Sequence, residues 1–514
     1  MLRVSLLTAL CVALVATGAA VAALLAWPTV GVAASSSGLA GVSLPAFSGR
    51  VERLVVREGD GTPVPVVLRH GTVWPRVRLE PGERVTVTVD VLRPSWAGWL
   101  VGAHERRTVT LVTPVARIRS TLLRPKPGST ITVRFAEPVS RVRVGGRGHR
   151  RWDSGRSVVS LGIVASGSAT AGTTTVAAAP RFWEKLSRPA RVSWFAGGGR
   201  TQVVSQPAAG TQISPDATLT LTFAKPVSSV LGARLPRLEP ATSGHWKQVD
   251  SHTLSFRPAG LGFGLGGTVL MHLPGESLAW KVAGGSTLRL QELLARLGYL
   301  PVRWRAAGAQ PSTPAAEVAA AVRAPQGTFS WRYPQIPDSL RALWRPGSWN
   351  VVTQGAVMRF EDEHGLATDG VAGPQVWRTL IHDDLAGRRY DAGYSYVFVH
   401  ETVPQSLSLW HAGRVILTSP GNTGIPQSPT QPGTWPVFEH IPVGTMSGTN
   451  PDGSHYHDPG IRWISYFHGG DALHEFPRAS YGTPQSLGCV ELPEAAAARL
   501  WPYTPIGTLV TIES

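Results

Sequence analysis

The chain has 514 residues and a formal charge of +16, with 56 glycines, 42 prolines and only 2 cysteines. That length exceeds what one hydrophobic core accommodates, and the Gly and Pro content argues against a mainly helical protein. Two cysteines exclude a disulfide framework.

In chain order, Arg3 is the last charged residue before Arg50, and an almost unbroken apolar run extends from Leu6 to Trp27. This exceeds a signal h-region and matches the ~20 residues that span a bilayer, so residues 1–34 are expected to be a transmembrane anchor or a signal segment that directs export. Small residues from Val32 to Ser35 would suit cleavage. Cys11 lies inside the run, which leaves Cys489 without a partner in the exported part. An unpaired thiol outside the membrane is either a buried small residue or a wanted nucleophile.

Residues 33–43 read as a Ser/Gly/Ala linker. Val85, Val87 and Val89 then alternate with Thr86, Thr88 and Asp90, the period of a half-buried strand, and similar runs recur at 108–112, 130–135 and 218–223. The stretch 130–139 parallels 218–227 in ending on Pro-Val. This pattern resembles bacterial immunoglobulin-like modules, implying all-β sandwiches at 47–115, 116–194 and 201–274 that act as a stalk. The middle one contains a Ser/Ala/Thr/Gly-rich insert at 165–179. Arginines crowd 124–156, from Arg124 to Arg156, against only Glu137 and Asp153. For an exported chain this favours anionic wall polymers or lipid head groups over nucleic acid.

From Ser286 the period becomes helical, with Leu290, Leu293, Leu294 and Leu297 on one face before Gly298. Two further helices are expected around Ala356 to Phe360 and from Pro374 through Ile381. The sequence from Val357 to Trp377 resembles the small three-helix peptidoglycan-binding domain of wall enzymes. On this reading the domain spans 286–384, with a long insert at 302–348 carrying Trp304, Trp331 and Trp344. The resemblance implies a glycan ligand; a helical spacer is the competing reading.

β character returns at Tyr394. The terminal stretch contains Tyr466, His468, His474 and then Ser486-Leu487-Gly488-Cys489. A thiol of pKa ~8.5 needs an imidazole to take its proton, and the oxyanion of acyl transfer needs backbone N–H donors that a glycine helps present. Gly488-Cys489 supplies the second requirement, and His468 or His474 the first. A zinc site built from His455, His457 and His468 lacks further ligands in a recognised pattern, so no metal is expected.

Taken together, residues 394–514 resemble the L,D-transpeptidase catalytic domain of YkuD type, whose motif sets a histidine about fifteen residues before Ser/Thr-His-Gly-Cys. Here 489 − 474 = 15. The resemblance implies Cys489 as nucleophile and His474 as proton donor and acceptor, with Gly488, Ser486, Tyr466 and His468 around the oxyanion and substrate. It implies no cofactor. The substrates would be peptidoglycan stem peptides, joined 3–3 through a thioester; hydrolysis of that thioester by an L,D-carboxypeptidase and a non-catalytic wall-binding scaffold are the rival readings. Two positions leave the pattern: Leu487 stands in place of histidine, and Glu491 in place of arginine or asparagine.

Overall fold

The computed structural model describes residues 8, 11–18, 21, 27–145, 148–197 and 202–513. The expected membrane or signal segment lies only partly within the described residues. Among those described, no helix is long and apolar enough to cross a membrane. The chain divides into two compact units, residues 1–205 with 222–224, and residues 206–221 with 225–514.

In the first unit, strands Gly31–Ala34, Ala40–Ser43, Thr72–Pro75 and Val66–Arg69 form one sheet, and Arg50–Glu58, Arg84–Leu92 and His104–Val112 form a second. They share a core into which Val85, Val87, Val89 and Val91 all point fully buried, as period-two alternation requires. The expected linker at 33–43 is therefore a strand pair. Its small side chains hide the pattern, but Ala40 and Val42 are buried, and the Trp183 indole N–H donates to the Ser37 carbonyl at 2.9 Å.

The middle region is also not the expected two-sheet sandwich. Leu122–Leu123, Thr130–Val144, His149–Val164, Ala171–Ala179 and Ala190–Phe195 make a single five-stranded sheet. The alternation that begins at Thr130 runs on to Val144, so one long hairpin replaces two short strand pairs, with register shifts between Arg151 and Val158. The low-complexity insert supplies a strand because Ala177, Ala178 and Ala179 bury at no side-chain entropy cost. Part of the arginine cluster is structural: Arg151 lies over Phe182 and Arg156 over Trp152.

In the second unit, Gln212–Ile213, Glu276–Val282, Thr268–Leu273 and Arg237–Glu239 form a sheet that runs past Pro274, accompanied by the hairpin Gly244–Asp250/Thr253–Pro258. The helical region then has five helices rather than three: α1 (Thr287–Leu297), α2 (Pro314–Ala321), α3 (Asp338–Leu343), α4 (Val351–Glu363) and α5 (Pro374–Leu385). Ser286 caps α1 by accepting from the Arg289 N–H, and Gly298 in the left-handed region closes it. The sequence 302–348 is not a loose insert. It folds as α2, α3 and the hairpin Val302–Ala306/Gly327–Trp331, and contributes Val302, Val318, Ile336, Leu340 and Trp344 to the helical core.

That core does not stop at the helices. It continues through Tyr394, Tyr396, Trp410 and Leu509 into the terminal β region, and the Trp410 indole donates to the Gln335 carbonyl at 2.9 Å. The terminal region has strands β1 (Ser395–His400), β2 (Ser406–His411), β3 (Arg414–Pro420), β4 (Gly433–Pro436), β5 (Glu439–Thr449), β6 (His455–His468), β7 (Asp471–Glu475), β8 (Val490–Leu492) and β9 (Leu509–Glu513), with α6 (Glu494–Leu500) before β9. One sheet has the order β3-β2-β1-β9-β4, the other β5-β6-β7-β8. Alternation along β1 sends Tyr396 and Phe398 to the helices, and Val397 and Val399 to a second core shared with Phe467, Leu473, Val490 and Leu492 of the other sheet.

Candidate active site

Parallel pairing of β7 with β8 sets Leu473 beside Val490 and His474 beside Glu491. Leu473, Val490 and Leu492 enter the core, so the pleat puts Ala472, His474, Cys489 and Glu491 on the opposite face. Cys489 and His474 are therefore diagonal neighbours on adjacent strands, two residues apart in register and on one face. Tyr466 of β6 pairs with Ala472, which brings its ring to the same face. Cys489 packs against a small core of Ile461, Ile464 and Ala472, which Ile441, Met446, Tyr466 and Phe476 also join.

His474 is 3% exposed, and its Nδ1 is 2.7 Å from the Glu475 carbonyl oxygen. A carbonyl can only accept, so Nδ1 carries the proton and Nε2 keeps its lone pair. Burial holds the imidazole below its ordinary pKa, opposed by the Glu475 carbonyl and the Glu491 and Glu475 carboxylates. His474 is thus a neutral base at neutral pH. Burial pushes the Cys489 thiol up to about 12, partly relieved by the Ala472 N–H and reinforced by Asp471 and Glu491. The resting group is a thiol that donates to the Gly470 carbonyl at 3.7 Å. An activated sulfur requires its proton to move as a substrate arrives, which is work for a base and not for a pre-formed ion pair.

The turn before the cysteine is held by Ser486. Its hydroxyl donates to the Cys489 carbonyl at 2.6 Å and accepts from the Gly488 N–H at 3.2 Å. Gly488 has φ +124°, and a Cβ there would fall on the Asp471 carboxylate, so only glycine fits. Because the Gly488 N–H is taken by Ser486, Gly488 shapes the turn without being a donor to an oxyanion. The Cys489 N–H has no acceptor among the described residues. Leu487 places its carbonyl against the Ser428 hydroxyl at 2.9 Å.

His468 takes another place. Its Nδ1 lies 3.6 Å from Asp471 Oδ2, and its ring packs on Trp435 at 4.3 Å, tilted by 43°. Ser465, next to Tyr466, faces away from the cysteine toward Thr504 and His440. Among the described residues, no group of three or more His, Cys, Asp or Glu side chains forms a metal site.

Several residues of this site are not evident from sequence. Tyr456 of β6 lies near Cys489: burial raises its phenol, and a charge on the Cys489 sulfur raises it further. Glu491 is 4% exposed and receives a two-pronged contact from Arg478, Nε at 2.8 Å and Nη2 at 2.7 Å. Arg478 also covers the Phe476 ring at 4.6 Å and donates to the Gln485 carbonyl at 3.2 Å. The departure at Glu491 thus comes with its own counterion, which ties the 476–488 loop to β8. Asn422, fully buried, exchanges backbone hydrogen bonds with Glu491 and accepts the Gly482 N–H at 2.9 Å. An acidic residue at 491 was the one available signal that an arginine nearby would be needed.

With this geometry in place, comparison with known proteins gives one family match: residues 394–512 match the model of the YkuD L,D-transpeptidase catalytic domain. Those residues are a YkuD L,D-transpeptidase catalytic domain at the end of a mostly β multidomain chain. Similar solved structures include an L,D-transpeptidase from Mycobacterium smegmatis, 13% identical over 61% of this chain and 100% of that one, with a TM-score of 0.22. L,D-transpeptidase 3 from Mycobacterium tuberculosis is 11% identical over 61% of this chain and 99% of that one, TM-score 0.22. The catalytic domain of the E. faecium L,D-transpeptidase is 25% identical over 23% of this chain and 96% of that one, also at 0.22. No curated protein matches the chain.

Proposed function

We propose that this chain is an exported peptidoglycan L,D-transpeptidase that forms 3–3 cross-links through a thioester on Cys489. The observation that carries the reading is the shared face of Cys489 and His474, with His474 Nδ1 committed to the Glu475 carbonyl and Nε2 without a partner among the described residues.

As substrate enters, His474 Nε2 takes the thiol proton while sulfur adds to the carbonyl carbon of the third, diamino-acid residue of a tetrapeptide stem. The Cys489 N–H faces the developing oxyanion. Collapse breaks the amide bond, His474 gives its proton to the leaving nitrogen, and D-alanine departs. The side-chain amine of a second stem then adds to the thioester, His474 removes its proton, and the thiol returns protonated as the new amide forms. A buried neutral imidazole suits both directions of transfer, because it need not lose a hydration shell each time. The half-buried thiol beside Tyr466, Tyr456 and Phe476 is where a substrate would displace water, which favours an amine over hydrolysis.

Purified tetrapeptide muropeptides are the test. Wild type is expected to give dimers and free D-alanine, and Cys489→Ala neither. Tripeptides alone would establish hydrolysis, and dimers from Cys489→Ala would overturn the nucleophile. Binding to purified wall without turnover would leave a scaffold.

A further inference from the structure

Apart from the catalytic face, the first unit carries an exposed aromatic patch that its own fold does not use. The short helix Ser95–Val101 presents Trp96 at 59% and Trp99 at 82% exposure, and beside it Phe47 is 67% and Leu44 41% exposed. Phe47 and Trp96 are in edge contact at 6.1 Å, and Trp96 meets Trp27 at 5.8 Å. A monomer gains nothing by holding three large aromatic rings in water, and such a cluster marks an interaction surface.

The position of the patch identifies its occupant. Trp27 is the last residue of the apolar run that begins at Leu6, and that run has the length and composition that partition into a bilayer. The Val30 N–H donates to buried Glu105 at 3.1 Å, and Arg93 joins Glu105 at 2.9 Å while its other end reaches the Val101 carbonyl. Through Glu105, the point where the chain leaves the apolar run and the end of the Trp helix are fixed to each other. A bilayer that receives the run up to Trp27 meets Trp96 where Trp27 touches it, with Trp99 on the same short helix. Arg50, at the same end of the sheet opposite Leu92, is exposed and has no acidic partner among the described residues, which suits phosphate head groups. Indole rings prefer the head-group level, where the ring is apolar and the N–H stays wet.

We propose that Trp96, Trp99 and Phe47 form a membrane-surface foot that seats the first module on a phospholipid bilayer. The attachment is a second contact besides the apolar run, and it fixes the orientation of the module to the membrane.

The test uses the full chain reconstituted in vesicles of phosphatidylglycerol and phosphatidylcholine. A photoreactive benzoyl-phenylalanine replaces Trp99, and in a control chain it replaces Val112, which is 63% exposed and lies at the opposite end of the same sheet, paired with Arg84. Both sites are exposed, so neither substitution disturbs a core. On irradiation, the chain labelled at 99 is expected to gain lipid adducts at least about fivefold above the control by mass spectrometry, as residence at the head-group level requires. Equal yields at the two sites would overturn the proposal. So would a cross-linked product of twice the chain mass in place of lipid adducts, which would make the patch a self-association surface. Neither outcome depends on whether Cys489 performs acyl transfer.

Discussion

The two sheets of the terminal region differ in what their outer faces meet. The five-stranded sheet β3-β2-β1-β9-β4 is covered on one side by the helical core and on the other by the second core, and Tyr396, Trp410 and Leu509 are almost wholly buried. The four-stranded sheet β5-β6-β7-β8 buries Leu473 and Val490 on one face but turns His474, Cys489 and Glu491 to the other. One sheet spends both faces on cohesion; the other spends one face on holding ionisable groups in a dry setting. The difference predicts that changes in the first sheet act on stability and changes on the open face of the second act on chemistry.

The largest expected effect falls on the face that carries Cys489 and His474. His474→Gln retains volume but cannot shuttle a proton, so transfer should fall by about 10²–10⁴-fold, the range for a lost general base. The unfolding midpoint should stay close to wild type. Loss of turnover together with a loss of fold would show that His474 is a packing residue and would dissolve the contrast between the sheets.

Trp410→Ala probes the opposite sheet. It removes a buried indole and its bond to Gln335, and should cost about 3–5 kcal/mol. The helical and terminal regions should lose protection together in hydrogen exchange, because they share one core. Separate unfolding of the two would contradict that continuity. Activity per folded molecule should be nearly unchanged.

Arg478→Ala lies between these extremes. It leaves the Glu491 carboxylate buried without its partner, a loss of about 2–4 kcal/mol after allowance for the partial exposure of the arginine. The double variant Arg478→Met with Glu491→Leu should recover much of that stability. A structural pair predicts this recovery, whereas failure to recover would mean that the loop is held by Asn422 and Gln485 alone.

How much of this was legible in the sequence varied with the range of the interactions. The α1 stripe Leu290, Leu293, Leu294 and Leu297 and the Val85–Val91 alternation were legible because each is a local period with a cap or turn beside it. A tight turn before Cys489 was legible from Gly488, but not that the Gly488 N–H is held by Ser486 and its α-carbon pressed against Asp471. Residues 33–43 were misread since Gly41 and Ala40 have weak strand signatures, and their burial depends on Trp183, far along the chain. The fold of 302–348 was illegible for a similar reason: Ile336 and Trp344 find their core only once α1, α4 and β2 are assembled. Arg478 could not be assigned to Glu491 without the closed loop between them.

The smallest expected effect concerns pH. Burial against Trp501, whose ring stacks at 4.1 Å, lowers the His440 pKa to about 4, and His474 is lowered by burial as well. Both are neutral in the fold, while in the unfolded chain they bind a proton near pH 6.5. As pH falls through 6.5 the unfolded state gains protons that the fold refuses, so stability is full above that value and declines toward pH 4, where His440 also protonates in the fold. The His440 contribution should be on the order of 2 kcal/mol at most, given its partial exposure. Urea unfolding at pH 7, 5.5 and 4.5 reads it directly. His440→Gln should flatten the decline, whereas Trp410→Ala should lower the whole curve without altering its slope. If Trp410→Ala altered the slope instead, its neighbour His411 on β2, whose imidazole burial also holds below its ordinary pKa, would carry the decline, and the five-stranded sheet would hold an ionisable burden of its own.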